Sequence, residues 1–422
     1  MLDLKKLAEH PAEYQRLLRT RSPDIDLSPL VEVYSESIAV KQQLDELRTQ
    51  RNEISQQISA VRKSGGKDTS LEERATRLKG QIAELERKST DLETGVQAIA
   101  ITLPNIPHPS VPVSYDESDK VIIRSGGNER EFDFPVTDHL TLCTNLGMLD
   151  FKTGAKLSGS QFPLYKGKGA SLERALLNFL VDRVTSKGYQ LVIPPLLVNE
   201  RTAFTSGGLP KFRDQLYFCD KDGLFLIPTS EVPLVGMHID DMLSVDDLPK
   251  CYTACTPNFR REAGTYGSKE RGLIRVHQFN KVEMFKFVRP ETSDSEFEKL
   301  VADAESLVRE LELPHRTALL PTSDMAQQAA KTVDIEVHIP SQGRYYETSS
   351  CSNCGDYQAR RGNIRFRDEN GKIRFVHTLN GSGLATSRLF ASIVENNQTP
   401  DGGIKIPEAL VKYTGFDTIL SE

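Results

Sequence analysis

Residues 259–285 read FRREAGTYGSKERGLIRVHQFNKVEMF, two strand-like runs joined by a glycine-containing loop. Side chains alternate between the two faces of a strand. Arg260 therefore shares a face with Glu262, while Phe259 and Arg261 point the other way. On the returning run Arg275, His277, Phe279, Lys281 and Glu283 share a face, opposite Val276, Val282 and Met284. An ordinary two-faced sheet would turn such charges to water. The kind of charge argues for a site instead, because arginines dominate and a single Phe lies among them. Guanidinium forks match phosphate oxygens, and an aromatic face stacks a flat base. That combination describes a nucleotide site on a sheet.

Two further stretches fit the same reading. GRYYETSSCSN (343–353) sets Glu347 and Ser350 in a strand, both hard oxygen ligands of the kind Mg²⁺ takes. HTLNGSGLATSRLFASIVEN (377–396) passes through small residues into a helix bearing Arg388. The small residues permit close backbone approach, and Arg388 can reach an anionic ligand. Around these lie helices at 171–188 and 295–313, the first with Gly188 placed for a C-terminal cap. The runs LFLIPT, RVHQFNKVEMFKFV, RYYETSS and RFVHTL read as strands. LVIPPLLV (191–198), apolar on both faces but broken by Pro194 and Pro195, suits a sheet edge or an interface. The pattern predicts an α+β domain on a mostly antiparallel sheet.

The first hundred residues differ. Apolar residues recur at heptad spacing through Val40, Leu44, Leu47, Ile54, Ile58 and Val61, and again from Leu71 through Leu78, Ile82, Leu85, Leu92 and Ile99. Gly65 and Gly66 break the pattern, so an antiparallel coiled-coil hairpin is expected. Its arms of about 30 residues would project roughly 45 Å. Ser70, with Glu73 three residues on, is placed to cap the second arm. Arg51, Arg62, Lys63, Lys67, Arg74, Arg77 and Lys79 make its distal part basic in a chain of net charge −6. LPNIPHPSVP (103–112) ends the hairpin as a stiff connector, which places the domains at 1–103 and 104–422.

The 422 residues carry neither a signal-peptide pattern nor an apolar run of membrane-spanning length, so a cytoplasmic location and no membrane partner are expected. Six cysteines in so long a chain do not form a disulfide framework. Cys251, Cys255, Cys351 and Cys354 could supply four thiolates for zinc. Their loose spacing and the hundred residues between the pairs favour apolar strand positions, and no zinc is expected.

FRREAG…RGLIRVHQFNKVEMF closely resembles motif 2 of the class II aminoacyl-tRNA synthetases. GYQLVIPPLLV (188–198) resembles their motif 1 and GLATSR (383–388) their motif 3. PTSEVPL (228–234), YYETSSCSN followed by DYQARR (356–361), IPEALVKYTG (406–415) and the N-terminal hairpin are similar to the seryl-tRNA synthetases within that class. The resemblance spans essentially the whole chain. Paralogues acting on carrier proteins typically lack the hairpin, and the triplet Thr229-Ser230-Glu231 together with the hairpin favours serine over the threonyl and prolyl enzymes.

The resemblance implies a class II catalytic domain that activates L-serine with ATP and transfers it to tRNA(Ser), with tRNA(Sec) a further substrate where it exists. Arg260 would bind the α-phosphate, and Arg275 and Arg388 the bent triphosphate. Phe279 and Arg388 would sandwich the adenine, and Glu262 would accept from its amino group. Arg261, Val276, Thr348 and Ser349 complete the implied ATP-contacting stretches, and Glu347 and Ser350 are the implied Mg²⁺ ligands. Glu283 would pair with the serine ammonium, with Thr229, Ser230, Glu231, Asn380 and Ser382 around it. Arg261 stands where relatives have a small polar residue, and Cys354 where they often have an aromatic or aliphatic one. The hairpin would grip the long variable arm of the tRNA, and motif 1 implies a homodimer.

Overall fold

The computed structural model describes residues 1–262 and 272–420. Residues 263–271, with Glu270 and Arg271, lie outside the described residues. The chain divides into two compact units, Leu2–Leu103 and Pro104–Glu422.

The first unit is built on helices α1 (Ser28–Lys63) and α2 (Thr69–Ala100). Val40, Leu44, Ile54, Leu78, Ile82 and Val96 are buried, so the heptad positions do form the seam. Arg51, at a seam position, is exposed. Cross-helix pairs Lys88–Glu36, Lys41–Glu93, Arg48–Glu86 and Arg62–Glu72 lie at 2.7, 2.9, 2.9 and 3.0 Å. Numbers mostly fall on one arm as they rise on the other, which sets the antiparallel register. These exposed pairs contribute little energy each. The cap of α2 differs from expectation: Asp68, not Ser70, is the N-cap, and its carboxylate accepts from Leu71 N at 3.1 Å. The helix begins two residues earlier than the Ser–Glu spacing predicts, because an aspartate precedes it and caps at least as well.

The second unit holds an eight-stranded sheet of β1 (Val121–Gly126), β2 (Gln190–Leu191), β3 (Lys250–Phe259), β4 (Gln278–Val288), β5 (His315–Leu319), β6 (Lys331–Ile339), β7 (Arg344–Asn353) and β8 (His377–Ala385). Their spatial order is 1-5-6-7-8-4-3-2. Every neighbouring pair is antiparallel except β2–β3. Helices α3 (Gly167–Ser186) and α4 (Ser293–Glu310) cover one face. Val282, Met284 and Val288 of β4 point into that core with Leu176, Phe179, Leu300 and Ala304. Gly188, at φ +91°, follows the end of α3 as expected.

The alternate residues of β4 divide the other face in two. Phe285 and Phe287 join a second apolar cluster with Tyr252, Ile364 and Phe366. Phe279, Lys281 and Glu283, of the same parity, lie on the stretch where that cluster gives way to polar residues. The apolar half of this face anchors the sheet beside the charged half. The glycines of β8 serve a different purpose from the one expected. A Cβ on Gly381 would lie 2.4 Å from Leu300 Cδ2 and 2.9 Å from Cys351 Sγ, so the close approach is to α4 and the core, not to a ligand.

Candidate functional site

A cavity opens on the polar half of the sheet in two contiguous lobes, one of about 450 Å³ and one of about 290 Å³. Arg260, Glu262, Lys281, Glu347 and Ser382 line both. The smaller lobe adds Arg275, Val276, Phe279, Ser387 and Arg388. The larger adds Thr229, Glu231, Gln328, Ser350, Ser352 and Asn380, and continues into an apolar end at Val198, Phe225 and Val232.

In the smaller lobe three guanidinium groups converge. Arg260, just past β3, places its guanidinium 5.1 Å from the Phe279 ring centroid and donates from Nε to Pro228 O at 3.4 Å. Arg275 pairs with Glu262 at 2.7 Å. Arg388, in the first turn of helix α5 (Thr386–Asn396), donates to Ile274 O at 3.1 Å and to Glu347 O at 2.8 Å. Two backbone carbonyls thus hold it in place before any ligand is considered. Glu262 lies at φ +50°, a conformation uncommon for a residue with a Cβ.

Strand parity accounts for Phe279 and Lys281 but fails before Gln278, where β4 begins. Val276, assigned by parity to the apolar face, lines the cavity beside Arg275. His277, assigned to the charged face, lines neither lobe: its backbone N–H donates to Gln161 O, and its ring lies 5.2 Å from Phe162 with Nδ1 2.9 Å from Arg260 O. Arg261 is exposed, lines neither lobe, and donates its backbone N–H to Gln215 O.

A break in register brings Glu347 and Ser350 together. Residues three apart on a regular strand face opposite ways, yet both line the larger lobe. Ser349 pairs with Ile335 and Glu347 with Glu336, leaving Thr348 as the extra residue of a β-bulge. The bulge turns Thr348 and Ser349 inward. Thr348 Oγ1 donates to Ile335 O at 3.2 Å and Ser349 Oγ to Ser382 O at 2.5 Å, so neither side chain lines the cavity. Asp334 lies opposite Ser350, buried, with Oδ1 lacking a hydrogen-bond partner. Burial and then the Glu347 carboxylate push Asp334 well above the usual carboxylate range.

The larger lobe carries the other predicted residues with one inversion. Glu231, Thr229, Asn380 and Ser382 line it. Ser230 is buried behind them on Thr256 Oγ1 at 2.6 Å. Glu283 is wholly buried. Its carboxylate is paired with the Lys281 ammonium and accepts from Thr229 Oγ1 at 3.1 Å, while Oε1 has no partner. Lys281 also donates to Thr229 Oγ1 at 2.5 Å. Of Glu231 and Glu283, it is therefore Glu231 that lines the lobe, with the Lys281 ammonium beside it. Burial first, then the Glu283 carboxylate, push Glu231 up to about 7, while Lys281 and the Gln358 and Gln328 amides pull against the rise.

Sequence reasoning assigned no role to Lys281, although parity had put it on the right face. Gln328, Ser352 and the apolar end of the lobe carried no local signal at all. The six cysteines are free thiols; Cys351 and Cys354 are buried and Cys251 and Cys255 lie along β3. Among the described residues no group of three or more His, Cys, Asp or Glu is arranged to hold a metal, and no helix is long and apolar enough to cross a membrane. In the hairpin, Arg62 and Lys67 lie 3.0 and 3.8 Å from Glu72, while Lys63, Arg74, Arg77 and Lys79 are exposed.

The family model for the seryl-tRNA synthetase N-terminal domain matches residues 1–107, and that for the class II tRNA synthetase core domain (G, H, P, S and T) matches residues 217–397. The serine–tRNA ligase of Chloroherpeton thalassium is 46% identical over 99% of this chain and 100% of its own. Among solved structures, seryl-tRNA synthetase from Pyrococcus horikoshii complexed with ATP superposes with a TM-score of 0.95 at 38% identity, covering 100% of both chains. The cytoplasmic serine–tRNA ligase from Naegleria fowleri in complex with AMP gives 0.90 at 26% identity, over 100% of this chain and 99% of that one.

Proposed function

The chain belongs to the seryl-tRNA synthetase family, and on that premise we propose how its two lobes divide the work of a serine–tRNA ligase. The smaller lobe takes ATP and the larger takes serine, with Arg260 and Lys281 at the junction where the serine carboxylate meets the α-phosphate. The observation that carries the reading is the convergence of Arg260, Arg275 and Arg388 around Phe279 in one lobe that opens directly into a carboxylate-lined second.

In the first step the serine carboxylate attacks the α-phosphorus, forming the acyl-phosphate bond as the bond to pyrophosphate breaks. Negative charge grows on phosphate oxygens, so the chain's contribution is positioning and electrostatic stabilisation rather than a protein base. Arg260 supplies the cation at the α-phosphate, and Arg275 and Arg388 hold the β- and γ-phosphates. Phe279 offers its ring to the adenine. In the second step a hydroxyl of the terminal ribose of tRNA(Ser) attacks the seryl carbonyl and AMP leaves.

Glu231, with Asn380, Ser382 and Thr229, selects the serine. An alanine in that lobe would leave buried polar groups without partners, which discriminates strongly against it. Glu283 contributes to the ammonium site once Lys281 moves toward the substrate carboxylate.

Glu347 and Ser350 would hold Mg²⁺ against the nucleotide, with Asp334 behind them. The oxygen-only donor set and the orphaned Asp334 Oδ1 fit a hard cation that keeps waters and phosphate oxygens for its remaining positions. The bound cation would neutralise phosphate charge.

Exposed Arg51, Lys63, Arg74, Arg77 and Lys79, with Arg62 and Lys67 released from Glu72, present the hairpin to tRNA phosphates. The reading extends to tRNA(Sec) where that tRNA is present. A homodimer is supported by Ile193, 89% exposed beside Leu191 near the sheet edge, an apolar surface that a second copy would cover. Cytoplasmic residence follows from the substrates.

Pyrophosphate exchange into ATP, run with each amino acid in turn, tests the assignment, and serine alone should support it. Arg260→Ala should lower the serine-dependent rate by about 10²–10³, the usual loss for one transition-state charge contact. Intact exchange in that variant would remove Arg260 from the phosphate site.

A further inference from the structure

Gln358 lies outside the cavity, fully buried on the short helix Tyr357–Gly362, yet it touches the wall of the larger lobe at two points. Its Nε2 donates to Glu231 Oε1 at 2.7 Å and to Ser206 O at 2.8 Å. Its Oε1 accepts from Thr378 Oγ1 at 2.6 Å. The chemistry of the partners fixes which way the amide points. A carbonyl and an ionised carboxylate only accept, so the nitrogen must face them, and the Thr378 hydroxyl can donate to the oxygen on the other side. Arg361, one turn on, stacks 3.8 Å from the Phe204 ring and donates to Phe204 O at 2.6 Å, so the segment carrying Ser206 is held from two places.

The groups facing Glu231 pull in opposite directions. Lys281 and Glu283 reach it from β4, the Cys354 thiol lies beyond the end of β7, and the Gln328 and Asn380 amides donate to it at 3.2 and 3.3 Å. Burial and Glu283 favour its protonated form, whereas the amide donors and Lys281 favour the carboxylate. The shortest hydrogen bond to it comes from Gln358.

We propose that Gln358, oriented by Thr378, is a positioning residue that keeps Glu231 ionised and aimed into the cavity, so that serine recognition at neutral pH depends on an amide relay that never touches the substrate. The inference rests on the assignment of Glu231 to the serine lobe. A protonated Glu231 offers an O–H and loses much of its attraction for an ammonium or a hydroxyl donor. The relay therefore decides how far toward acid the lobe stays competent.

The experiment is the pH profile, from about 5.5 to 8.5, of kcat/KM for serine in pyrophosphate exchange. Gln358→Met keeps length and volume but donates nothing. A hydrogen bond to a charged group is worth enough to move the acid limb upward by about one to two pH units, a loss of roughly 10- to 100-fold on that limb that shrinks as pH rises. The KM for ATP at saturating serine should stay as in the parent. Thr378→Val leaves the amide in place but frees its orientation, and should move the limb the same way by less. It also supplies the test if Gln358→Met does not fold. A loss of equal size at every pH, or one shared by the KM for ATP, would overturn the relay and leave Gln358 as packing. Glu231→Gln separates the two readings. If it keeps the parent's serine profile, the serine assignment of Glu231 fails. If it loses serine activity while Gln358→Met and Thr378→Val leave the limb unmoved, only the relay fails.

Discussion

Glu231→Gln should make the protein more stable above neutral pH while disabling it. The carboxyl is ionised in an unfolded chain above about 4.5 but in the folded cavity only above about 7. For an acid whose folded value is raised, the sign is clear. Below 4.5 both states are protonated and nothing is lost. As pH rises the unfolded chain releases its proton first, so stability falls until about 7 and stays reduced above it. At about 1.4 kcal/mol per pH unit, the ionised carboxylate withholds roughly 3 kcal/mol from the fold at pH 8. A glutamine carries no such penalty. Its oxygen can still accept from Gln358 and Gln328, but its nitrogen meets the Asn380 amide that donates at 3.3 Å, an offset of about 1 kcal/mol. The net gain is about 2 kcal/mol at pH 8 and close to none at pH 5. In the ligand-free protein this corresponds to a thermal midpoint for the catalytic unit about 3 °C higher at pH 8. Differential scanning calorimetry at the two pH values reads it directly, and serine-dependent exchange should fall in the same variant. A midpoint at pH 8 equal to or below the parent's, or a gain of the same size at pH 5, would refute the account of Glu231 as a carboxylate held ionised at the fold's expense.

Lys281→Met should cost about 3–5 kcal/mol, because it strands the buried Glu283 carboxylate, one of whose oxygens already lacks a partner. Urea unfolding of Lys281→Met, Glu283→Gln and the double variant should show the double recovering more than half of that loss; strictly additive losses would rule out the pair. Deleting residues 40–99 should spare serine-dependent pyrophosphate exchange and abolish charging of tRNA(Ser). Retained charging would take the hairpin out of tRNA recognition.

Much of this protein could be read without its structure, and the reason is periodicity. Heptads are a local signal, so the seam of α1 and α2 followed from residue spacing alone, as did the exposed basic residues along it. Period two carried Phe279 and Lys281 to one face and Val282 and Met284 to the other. What periodicity cannot express is a change of register caused by another strand. The bulge between β6 and β7 sets Glu347 beside Ser350 and buries Thr348 and Ser349. The start of β4 at Gln278 exempts Val276 and His277 from the alternation that governs the residues after them.

Local order along the chain is enough to say which chemical groups this protein owns and in which repeating order they leave the backbone, since φ and ψ preferences and spacing act over a few residues. Which of two carboxylates, Glu231 or Glu283, reaches the cavity depends instead on long-range packing. Glu283 and Glu231 look alike in the sequence, but Lys281 and Thr229 close over the first while Gln358, Gln328 and Asn380 hold the second at the cavity wall. Those partners lie from 2 to 149 positions away along the chain, and their meeting depends on how the whole sheet packs.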